Sequence, residues 1–392
     1  MNVNITLHKD IADILERLER AGFEAYAVGG YVRDALLLKE AGDCDITTSA
    51  LPEQTKQVFD GERTVDTGIK HGTVTLIYNG VPYEITTYRV DGDYADNRHP
   101  DRVSFTASLR EDLARRDFTV NAMAYSEARG LVDIFGGRED LAAGIIRAVG
   151  DPGRRFSEDA LRILRALRFA SVLDFKIENS TRLAIFEEKE RLRSVSVERI
   201  LVELRKLVSG KGAHAILTEY GDIIIEQLSG VDRIILPEKS IFEPMTPDER
   251  LISLFYLSAS EPASAFEASI RALHGDKSTQ KFGAAVLHAM TADLSGDALY
   301  ELILDTGVEV VASALSLKAR LTGEKKDAER LGELTASGRP CKISELKISG
   351  RDITALGIVG EQVGELLRSA LIAVMRGELE NNSDDLLKYI KS

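Results

Sequence analysis

Two glycines and two aspartates near the N-terminus have the spacing expected of a phosphate-binding turn followed by a metal-binding strand. The segment Gly29-Gly30-Tyr31-Val32-Arg33-Asp34 lies between an apolar stretch and a helix-forming stretch, and Asp43-Cys44-Asp45 follows it closely. Glycines allow a backbone to approach a ligand closely, and the first turn of a helix offers N–H groups to a phosphate. Arg33 could hold the same phosphates with paired donors. These residues predict a site for a phosphorylated ligand.

The acidic residues predict a metal ion beside that turn. On a strand, Asp43 and Asp45 point to the same face, because side chains alternate between the two faces. Two carboxylates near a phosphate cradle are what Mg²⁺ needs to bridge the protein and a triphosphate. Glu84, on a predicted strand over 82–87, is a candidate third carboxylate. The alternative is a plain turn followed by solvated acids.

The surrounding elements follow from the apolar periodicity. Residues Ile11, Ile14, Leu15 and Leu18 predict an amphipathic helix. Strands are predicted over 25–28, 43–47, 73–78 and 82–87, a helix is predicted over 32–38, and Asn79-Gly80 is a hairpin turn. After the breaker cluster at 150–153 the pattern is helical almost to the end. The fold class predicted is therefore an α/β head with a mixed sheet, followed by all-α domains.

Composition narrows the class of protein. The 392 residues are 44% hydrophobic and 29% charged, which is typical of a globular protein with several domains. No apolar run approaches the ~20 residues of a membrane span, and no secretory segment is evident. Cys44 and Cys341 are the only cysteines, too few for a disulfide framework or a zinc site. We expect a cytoplasmic protein with no membrane and no disulfide partner, whose metal is held by oxygen atoms; the oligomeric state stays open.

The distribution of charge points to where RNA could bind. The net charge is −13, which argues against a nucleic-acid partner over most of the surface. The stretch between Arg138 and Lys206, however, contains 15 basic and 12 acidic residues, so its net charge is +3 and that of the rest is −16. We expect an RNA surface to begin in that stretch.

Several motifs together resemble one known family. They are Gly29-Gly30-Tyr31-Val32-Arg33-Asp34, the pair Asp43 and Asp45, residues 115–124 (RRDFTVNAMA), residues 158–162 (EDALR), and Arg165 and Arg168. In combination they are similar to the bacterial class II CCA-adding enzymes, the tRNA nucleotidyltransferases of the nucleotidyltransferase-β superfamily. The resemblance covers roughly residues 22–206, and a weaker one returns near the glycines at 350–364.

The resemblance implies a domain plan and a reaction. It implies a catalytic nucleotidyltransferase head over 1–140, a neck for base selection over 141–206, a helical body over 207–275 and a tRNA-binding tail over 276–392. The reaction would be Mg²⁺-dependent, template-independent addition of C, C and A to the 3′ end of tRNA from CTP and ATP, with release of pyrophosphate. The alternatives are a bacterial poly(A) polymerase, an enzyme that adds only CC or only A, and an inactive RNA-binding relative.

The resemblance also implies roles for individual residues. Asp43 and Asp45 would bind the metal ions, and Gly30 and Arg33 would hold the phosphates. The remaining nucleotide contacts would come from the 115–124 motif, namely from Arg116, Asp117 and Asn121. The alternative for that motif is a surface cluster of salt bridges.

Base selection can be argued from side-chain chemistry. Asp159 and Arg162 are three residues apart, and we expect them on one helix face. A carboxylate accepts from the exocyclic amine of cytosine or adenine, and a guanidinium donates to the neighbouring ring acceptors. Arg165 and Arg168 would extend the row toward base or phosphate. The alternative is an ordinary ion pair on a solvated helix, worth ~0.3–0.5 kcal/mol.

A long polar segment, 88–100, predicts a mobile loop near the site. It resembles the loop that complete CCA-adding enzymes keep, which favours addition of the terminal A. Within it, His99 is expected to be structural or to face solvent rather than to act as a base.

Overall fold

The computed structural model describes residues 5–40, 42–92 and 103–392. Most of the predicted loop, including His99, lies outside these residues. The chain divides into two compact units, Met1–Ile216 and Leu217–Ser392.

The first unit is built on a mixed sheet. The strands are β1 (Ala25–Val28), β2 (Asp45–Thr48), β3 (Arg63–Gly68), β4 (Thr73–Tyr78), β5 (Val81–Thr87), β6 (Arg89–Asp91), β7 (Val103–Phe105), β8 (Met123–Ser126), β9 (Gly130–Asp133), β10 (Ile145–Ile146) and β11 (Lys176–Ile177). Seven of the described strands form one sheet in the order β3-β4-β5-β2-β1-β8-β9. Strands β2 and β5 run parallel and the other neighbours run antiparallel. The predicted mixed sheet is confirmed.

Local sequence explains several of these elements. The predicted turn between β4 and β5 is confirmed, with φ of 51° at Asn79 and 82° at Gly80. Both residues have positive φ, as a type I′ hairpin turn requires. Strand β2 begins at Asp45, so the predicted start at residue 43 was two residues too early.

The sheet has one apolar face and one mixed face. Side chains alternate along each strand, so register neighbours share a face. Ala27, Ile46 and Ile85 are register neighbours and are buried. On the opposite face Val28, Asp45 and Glu84 are neighbours, and both acids are exposed. The fold therefore presents carboxylates on a sheet whose other side is core.

Nine described helices belong wholly to the first unit. They are α1 (Lys9–Arg20), α2 (Gly30–Leu36), α3 (Pro52–Val58), α4 (Leu109–Ala114), α5 (Gly137–Ala143), α6 (Pro152–Glu158), α7 (Leu161–Leu173), α8 (Asn179–Glu188) and α9 (Val197–Ser209). The breaker at 150–153 becomes the start of α6, where Asp151 accepts from the backbone N–H of Arg154 at 2.7 Å. Helix α7 packs along α9. The helical stretch also contains the short parallel pair β10–β11, which periodicity did not reveal.

Helices make up the second unit. The chain enters it through α10 (Ala213–Ile225) and continues with α11 (Lys239–Phe242), α12 (Pro247–Ser258), α13 (Pro262–Ala272), α14 (Lys277–Thr291), α15 (Ala298–Thr306), α16 (Val308–Thr322), α17 (Lys326–Ala336), α18 (Gly350–Thr354), α19 (Glu361–Arg376) and α20 (Ser383–Lys391). Gly283 lets α13 and α14 approach, because a Cβ there would lie 2.2 Å from the Phe266 ring. No helix within the described ranges is long and apolar enough to cross a membrane.

Candidate active site

Two carboxylates, Asp45 and Glu84, are neighbours on the mixed face, and a third, Asp43, lies just before β2. Asp45 opens β2 and is the register neighbour of Glu84 on β5 and of Val28 on β1. Asp43 precedes it by two residues and is also exposed, whereas Cys44 between them is buried. The predicted alternation of the two aspartates about Cys44 is therefore present. Within the described part of the chain, Asp43, Asp45 and Glu84 form no side-chain hydrogen bond or salt bridge, and Asp45 interacts electrostatically with the guanidinium of Arg116.

The donor set suits a metal ion that is shared with a substrate. In the described ranges no group of three or more His, Cys, Asp or Glu residues could hold a metal ion by itself. Mg²⁺ commonly uses one or two carboxylates and completes its shell with substrate phosphates and water. Asp43 and Asp45 provide two exposed carboxylates of that kind.

The side chain of Arg116 lies close to the glycine turn that precedes α2. Gly29 has φ of 70° and ψ of −132° and caps α2. A Cβ at Gly29 would lie 3.1 Å from Nη1 of Arg116. Glycine is favoured at this position both by its backbone conformation and by the guanidinium beside it. The predicted glycine turn therefore touches the predicted nucleotide-binding arginine.

A buried acid holds Arg116 in place. Asp112 on α4 is fully buried and accepts from Thr47 Oγ1 at 3.1 Å and from Arg115 Nε at 2.9 Å. Its Oδ2 also lies 3.7 Å from Nη2 of Arg116. Burial would raise the pKa of Asp112, but Arg115 and Arg116 together bring that pKa below its ordinary value.

Arg116 itself is desolvated. Burial lowers the pKa of its guanidinium, and Asp112 opposes that shift. Among the described residues Nε of Arg116 is buried and has no hydrogen-bond partner. A buried donor without a partner costs free energy, which a ligand acceptor would recover. Asp112 and Thr47 were not found from the sequence, because the contact joins α4 to β2.

Arg33 faces protein groups as well as the glycine turn. Its Nε and Nη2 donate to the two oxygens of Asp34 at 2.8 Å each, and Nη1 donates to Oδ1 of Asn121 at 2.7 Å. These bonds fix the guanidinium against the 3₁₀ turn at Thr119–Asn121. The expected contact of Arg33 with phosphate stays a prediction.

Asp117 continues this chain of contacts. Its Oδ1 accepts from Nδ2 of Asn121 at 3.1 Å and from the backbone N–H of Phe118 at 2.8 Å. Its Oδ2 accepts from Nε of Arg165 at 2.9 Å. Burial raises the pKa of Asp117, but Arg165 and the Asn121 bond outweigh it and leave the pKa at about 2. One hydrogen-bonded chain therefore links α2, the turn and α7.

The predicted arrangement of Asp159 and Arg162 on one helix was wrong. Asp159 lies between α6 and α7 with φ of −143° and ψ of 102°. The reason is capping: Oδ1 of Asp159 accepts from the backbone N–H of Leu161 at 3.1 Å, which favours a new helix start. Arg162 pairs with Glu158 at 2.8 Å and donates to the backbone carbonyls of Arg155 and Arg115.

A second row of contacts comes from α9, which sequence reasoning missed. Nη2 of Arg199 donates to Oδ2 of Asp159 at 2.9 Å, and Nε of Arg168 lies 3.0 Å from Oε2 of Glu203. Glu203 is buried among the apolar residues of α9. Glu203 interrupts an otherwise apolar stripe of α9 in the sequence, and this interruption could have indicated a buried ion pair.

Three arginine side chains of this region lie around one aromatic ring. The guanidinium carbons of Arg33, Arg165 and Arg168 lie 5.2, 5.4 and 3.9 Å from the centre of the Phe169 ring. Cations are attracted to the face of such a ring. Phe169 therefore contacts both Arg33, next to the glycine turn, and the predicted row of Arg165 and Arg168.

Comparison with known proteins covers most of the chain. Residues 25–147 match the family model described as the poly A polymerase head domain. Residues 174–221 match the model for the RNA and SrmB binding site of polymerase A, and residues 244–390 match the model for tRNA nucleotidyltransferase domain 2.

Full-length relatives give a consistent result. A CCA-adding enzyme of Pediococcus pentosaceus is 38% identical, with 97% of each chain covered. The crystal structure of the Bacillus stearothermophilus CCA-adding enzyme in complex with CTP is 32% identical, with 98% of this chain and 96% of that chain covered and a TM-score of 0.74. A Thermotoga maritima CCA-adding enzyme complexed with tRNA shares the fold at 21% identity, 97% and 94% coverage and a TM-score of 0.69.

Proposed function

Because the chain belongs to the family of CCA-adding enzymes, we propose that it adds C, C and A to the 3′ end of tRNA without a template. CTP and ATP are the nucleotide substrates and pyrophosphate is released. The proposal retains the cytoplasmic location expected from the composition. It also retains the division into head (1–140), neck (141–206), body (207–275) and tRNA-binding tail (276–392).

The proposal rests on one observation: the aspartates beside the mixed face form no salt bridge, whereas the arginines of the neighbouring helices do. Asp43 and Asp45 are exposed and form no side-chain hydrogen bond or salt bridge among the described residues, and Asp45 interacts with Arg116 only through longer-range electrostatics. The arginines of α7 are held by other acids, as Arg165 is by Asp117. Two exposed carboxylates that are close in sequence and form no salt bridge are suited to a metal ion and a polyphosphate.

Nucleotidyltransferases generally use a divalent metal ion, and we propose Mg²⁺ held by Asp43 and Asp45. Mg²⁺ would neutralise the triphosphate and favour ionisation of the RNA 3′-hydroxyl. Glu84 is a third catalytic carboxylate in this proposal, because its register with Asp45 places it on the same face.

The protein's own residues then bind and orient the nucleotide. Gly30 offers backbone beside the phosphates, and Arg33 and Arg116 supply positive charge. Asp117 and Asn121 hold the turn that contacts the sugar, since they bond to each other and to flanking elements. Preorganised charge of this kind is the main protein contribution to phosphoryl transfer.

Asp159 and Arg162 select the base in this proposal. Although they do not share a helix, they lie on either side of the start of α7. Asp159 offers an acceptor to the amine of cytosine or adenine, and Arg162 offers donors to the ring. Uracil and guanine would present a carbonyl to the carboxylate and leave it without a donor. Arg165 and Arg168 contribute positive charge beside them.

One assay tests the reaction. Purified protein is incubated with tRNA transcripts that end before C, after C, after CC or after CCA, with each nucleotide supplied separately. We expect C to be added to the first two, A only to the third, and nothing to the fourth. Long runs of A would indicate a poly(A) polymerase, an alternative that the match to a poly A polymerase head keeps open. Addition of only CC or only A would indicate a partial enzyme, and no addition an inactive relative.

A variant tests base selection separately. In Asp159→Ala we expect the preference for CTP over UTP, as a ratio of kcat/KM, to fall about tenfold to a hundredfold, as for a lost base contact. Glu187→Ala, which removes an exposed acid on α8, is the matched control and should leave the ratio unchanged. An unchanged ratio in Asp159→Ala would place base selection elsewhere.

A further inference from the structure

Two groups donate hydrogen bonds to the Asp159 carboxylate: the backbone N–H of Leu161 and the side chain of Arg199. The backbone N–H of Leu161 donates to Oδ1 at 3.1 Å. Arg199 donates through Nη2 to Oδ2 at 2.9 Å, and its Nη1 lies 3.5 Å from Oδ1. Only 15% of the Asp159 side chain is exposed. These contacts fix both the position and the rotation of the carboxylate.

Arg199 is attached to a rigid part of the first unit. It lies in the first turn of α9, where its N–H donates to the carbonyl of Ser196 at 3.1 Å. Ile200 and Leu204 beside it are buried, and α9 packs along α7. Asp159 by contrast lies in extended backbone between two helices. The packed helix α9 therefore fixes the position of Arg199. Through Arg199 it also fixes the carboxylate of Asp159, whose own backbone is not helical.

We infer that Arg199 is a positioning residue for base selection: it holds the Asp159 carboxylate so that a remaining lone pair faces the incoming base. The inference rests on the proposed function, in which Asp159 accepts from the amine of cytosine or adenine. Each carboxylate oxygen can accept more than one hydrogen bond, so contacts with Leu161 and Arg199 leave acceptor capacity. Discrimination by a hydrogen bond requires that its acceptor be held within about 0.5 Å of the productive geometry.

A purely structural ion pair would behave differently. The Arg199–Asp159 contact joins α9 to the break before α7, so its loss could lower stability without touching selection. A structural role would change the unfolding temperature and lower kcat/KM for all four nucleotides alike. A positioning role changes the ratio between nucleotides, because a carboxylate that turns away from the base can neither accept from the amine of cytosine nor repel the carbonyl of uracil.

The test uses the full chain and a tRNA transcript that ends before the first C. In Arg199→Ala we expect the ratio of kcat/KM for CTP over UTP to fall about tenfold, a typical value for loss of one ordered base contact. Arg199→Lys keeps one charged donor but loses the paired geometry, so it should retain part of the ratio. Arg193→Ala is the control, because Arg193 is an exposed arginine paired with Glu190 just before α9.

A double variant completes the experiment. If Arg199 acts through Asp159, the Asp159→Ala, Arg199→Ala double variant should have the same ratio as Asp159→Ala alone. Thermal unfolding of each variant identifies any that fail to fold, and Arg199→Gln then replaces Arg199→Ala. An unchanged ratio in both Arg199→Ala and Arg199→Gln, with a changed ratio in Asp159→Ala, would overturn the inference alone. An unchanged ratio in Asp159→Ala would overturn the proposed base selection, and the inference with it.

Discussion

The first unit contains two sets of charged side chains with opposite environments. Asp45 and Glu84 on the sheet, and Asp43 just before β2, are exposed and form no side-chain hydrogen bond or salt bridge within the described residues. In the helical stretch four arginines each pair with an acid. The pairs are Arg162 with Glu158, Arg165 with Asp117, Arg168 with Glu203 and Arg199 with Asp159. In the proposed function the first set binds a cation from outside, whereas the second set has its counter-ions within the protein.

The difference separates two ways of handling charge. Exposed carboxylates stay hydrated and keep their lone pairs, so an incoming metal ion can bind them with little rearrangement of the protein. The arginines of the pairs are at most about a third exposed and lose much of their hydration, and their paired acids compensate for that loss and fix their orientation. The acids of the sheet are therefore suited to a changing partner, whereas the arginines and acids of the helices are suited to fixed recognition.

The largest expected effect is on the exposed set. Replacing Asp43 or Asp45 by Ala should reduce nucleotide addition about a thousandfold or more, because charge stabilisation at the triphosphate is lost. The unfolding temperature should change little, since neither side chain forms a hydrogen bond or salt bridge in the described structure. Radiolabelled CTP incorporation and thermal unfolding measure the two effects.

Asp60→Ala is the matched control for that experiment, because Asp60 is an exposed aspartate of the same unit. It should change neither activity nor stability. Near-normal incorporation in Asp43→Ala or Asp45→Ala would show that the exposed acids do not bind the metal ion.

Local sequence was sufficient to predict the alternation of the two aspartates, but not the position of Glu84 or the buried set. The alternation of Asp43, Cys44 and Asp45, the glycine turn and the hairpin at 79–80 are local patterns, so they could be predicted. The alignment of Glu84 with Asp45 depends on a parallel pairing of β2 with β5, which the spacing of residues does not determine. Domain boundaries in the helical part stay predictions for the same reason.

The buried pairs depended on tertiary contacts and on a competing local interaction. Arg199 is 40 residues from Asp159, and nothing in either local pattern links them. The predicted pairing of Asp159 with Arg162 assumed one continuous helix. It failed because the Asp159 side chain caps the start of α7 and thereby ends α6.

The second effect in size concerns the buried set. Asp117→Asn removes the charge that compensates Arg165, and we expect a loss of about 2–3 kcal/mol in the free energy of unfolding, since Arg165 is partly exposed. The pKa of Asp117 is about 2 in the folded chain, against an ordinary value of 3.8. Its ionisation therefore contributes stability that is complete above about pH 4 and is lost as the pH falls toward 2.

Urea unfolding between pH 7 and pH 2 measures this prediction. The natural chain should lose about 2 kcal/mol more than Asp117→Asn between pH 5 and pH 2, the value that corresponds to the pKa shift. Asp60→Asn serves as the exposed control and should follow the natural chain. Parallel profiles for the natural chain and Asp117→Asn would show that the buried acid does not compensate Arg165.

A smaller effect is expected at the glycine turn. Gly29→Ala should cost about 1–2 kcal/mol, because an L side chain rarely adopts the backbone angles of Gly29. Its Cβ would also press on Arg116 and should raise the KM for CTP.

Gly30→Ala is the matched variant for the free energy of unfolding. Gly30 is in helical conformation, and a Cβ there would meet Arg33 Nη2 at 3.5 Å, an ordinary contact. Its free energy of unfolding should change by less than about 0.5 kcal/mol. A loss in Gly29→Ala no larger than that in Gly30→Ala would show that backbone conformation does not determine the choice of glycine at position 29.

The smallest effect is expected in the second unit, where an ion pair lies at the surface. Arg368 on α19 donates to Asp305 on α15 at 2.8 Å, but the two side chains are 39% and 59% exposed. Water screens such a pair, and ordering two flexible side chains opposes it, so Arg368→Ala should cost no more than about 0.5 kcal/mol. Urea unfolding at low salt measures this cost, and about 1 M salt should abolish it, since the Debye length is then about 3 Å. A salt-independent loss above about 1 kcal/mol would mean that ion pairs contribute alike in both environments. Burial would then not determine how much each ion pair contributes to stability.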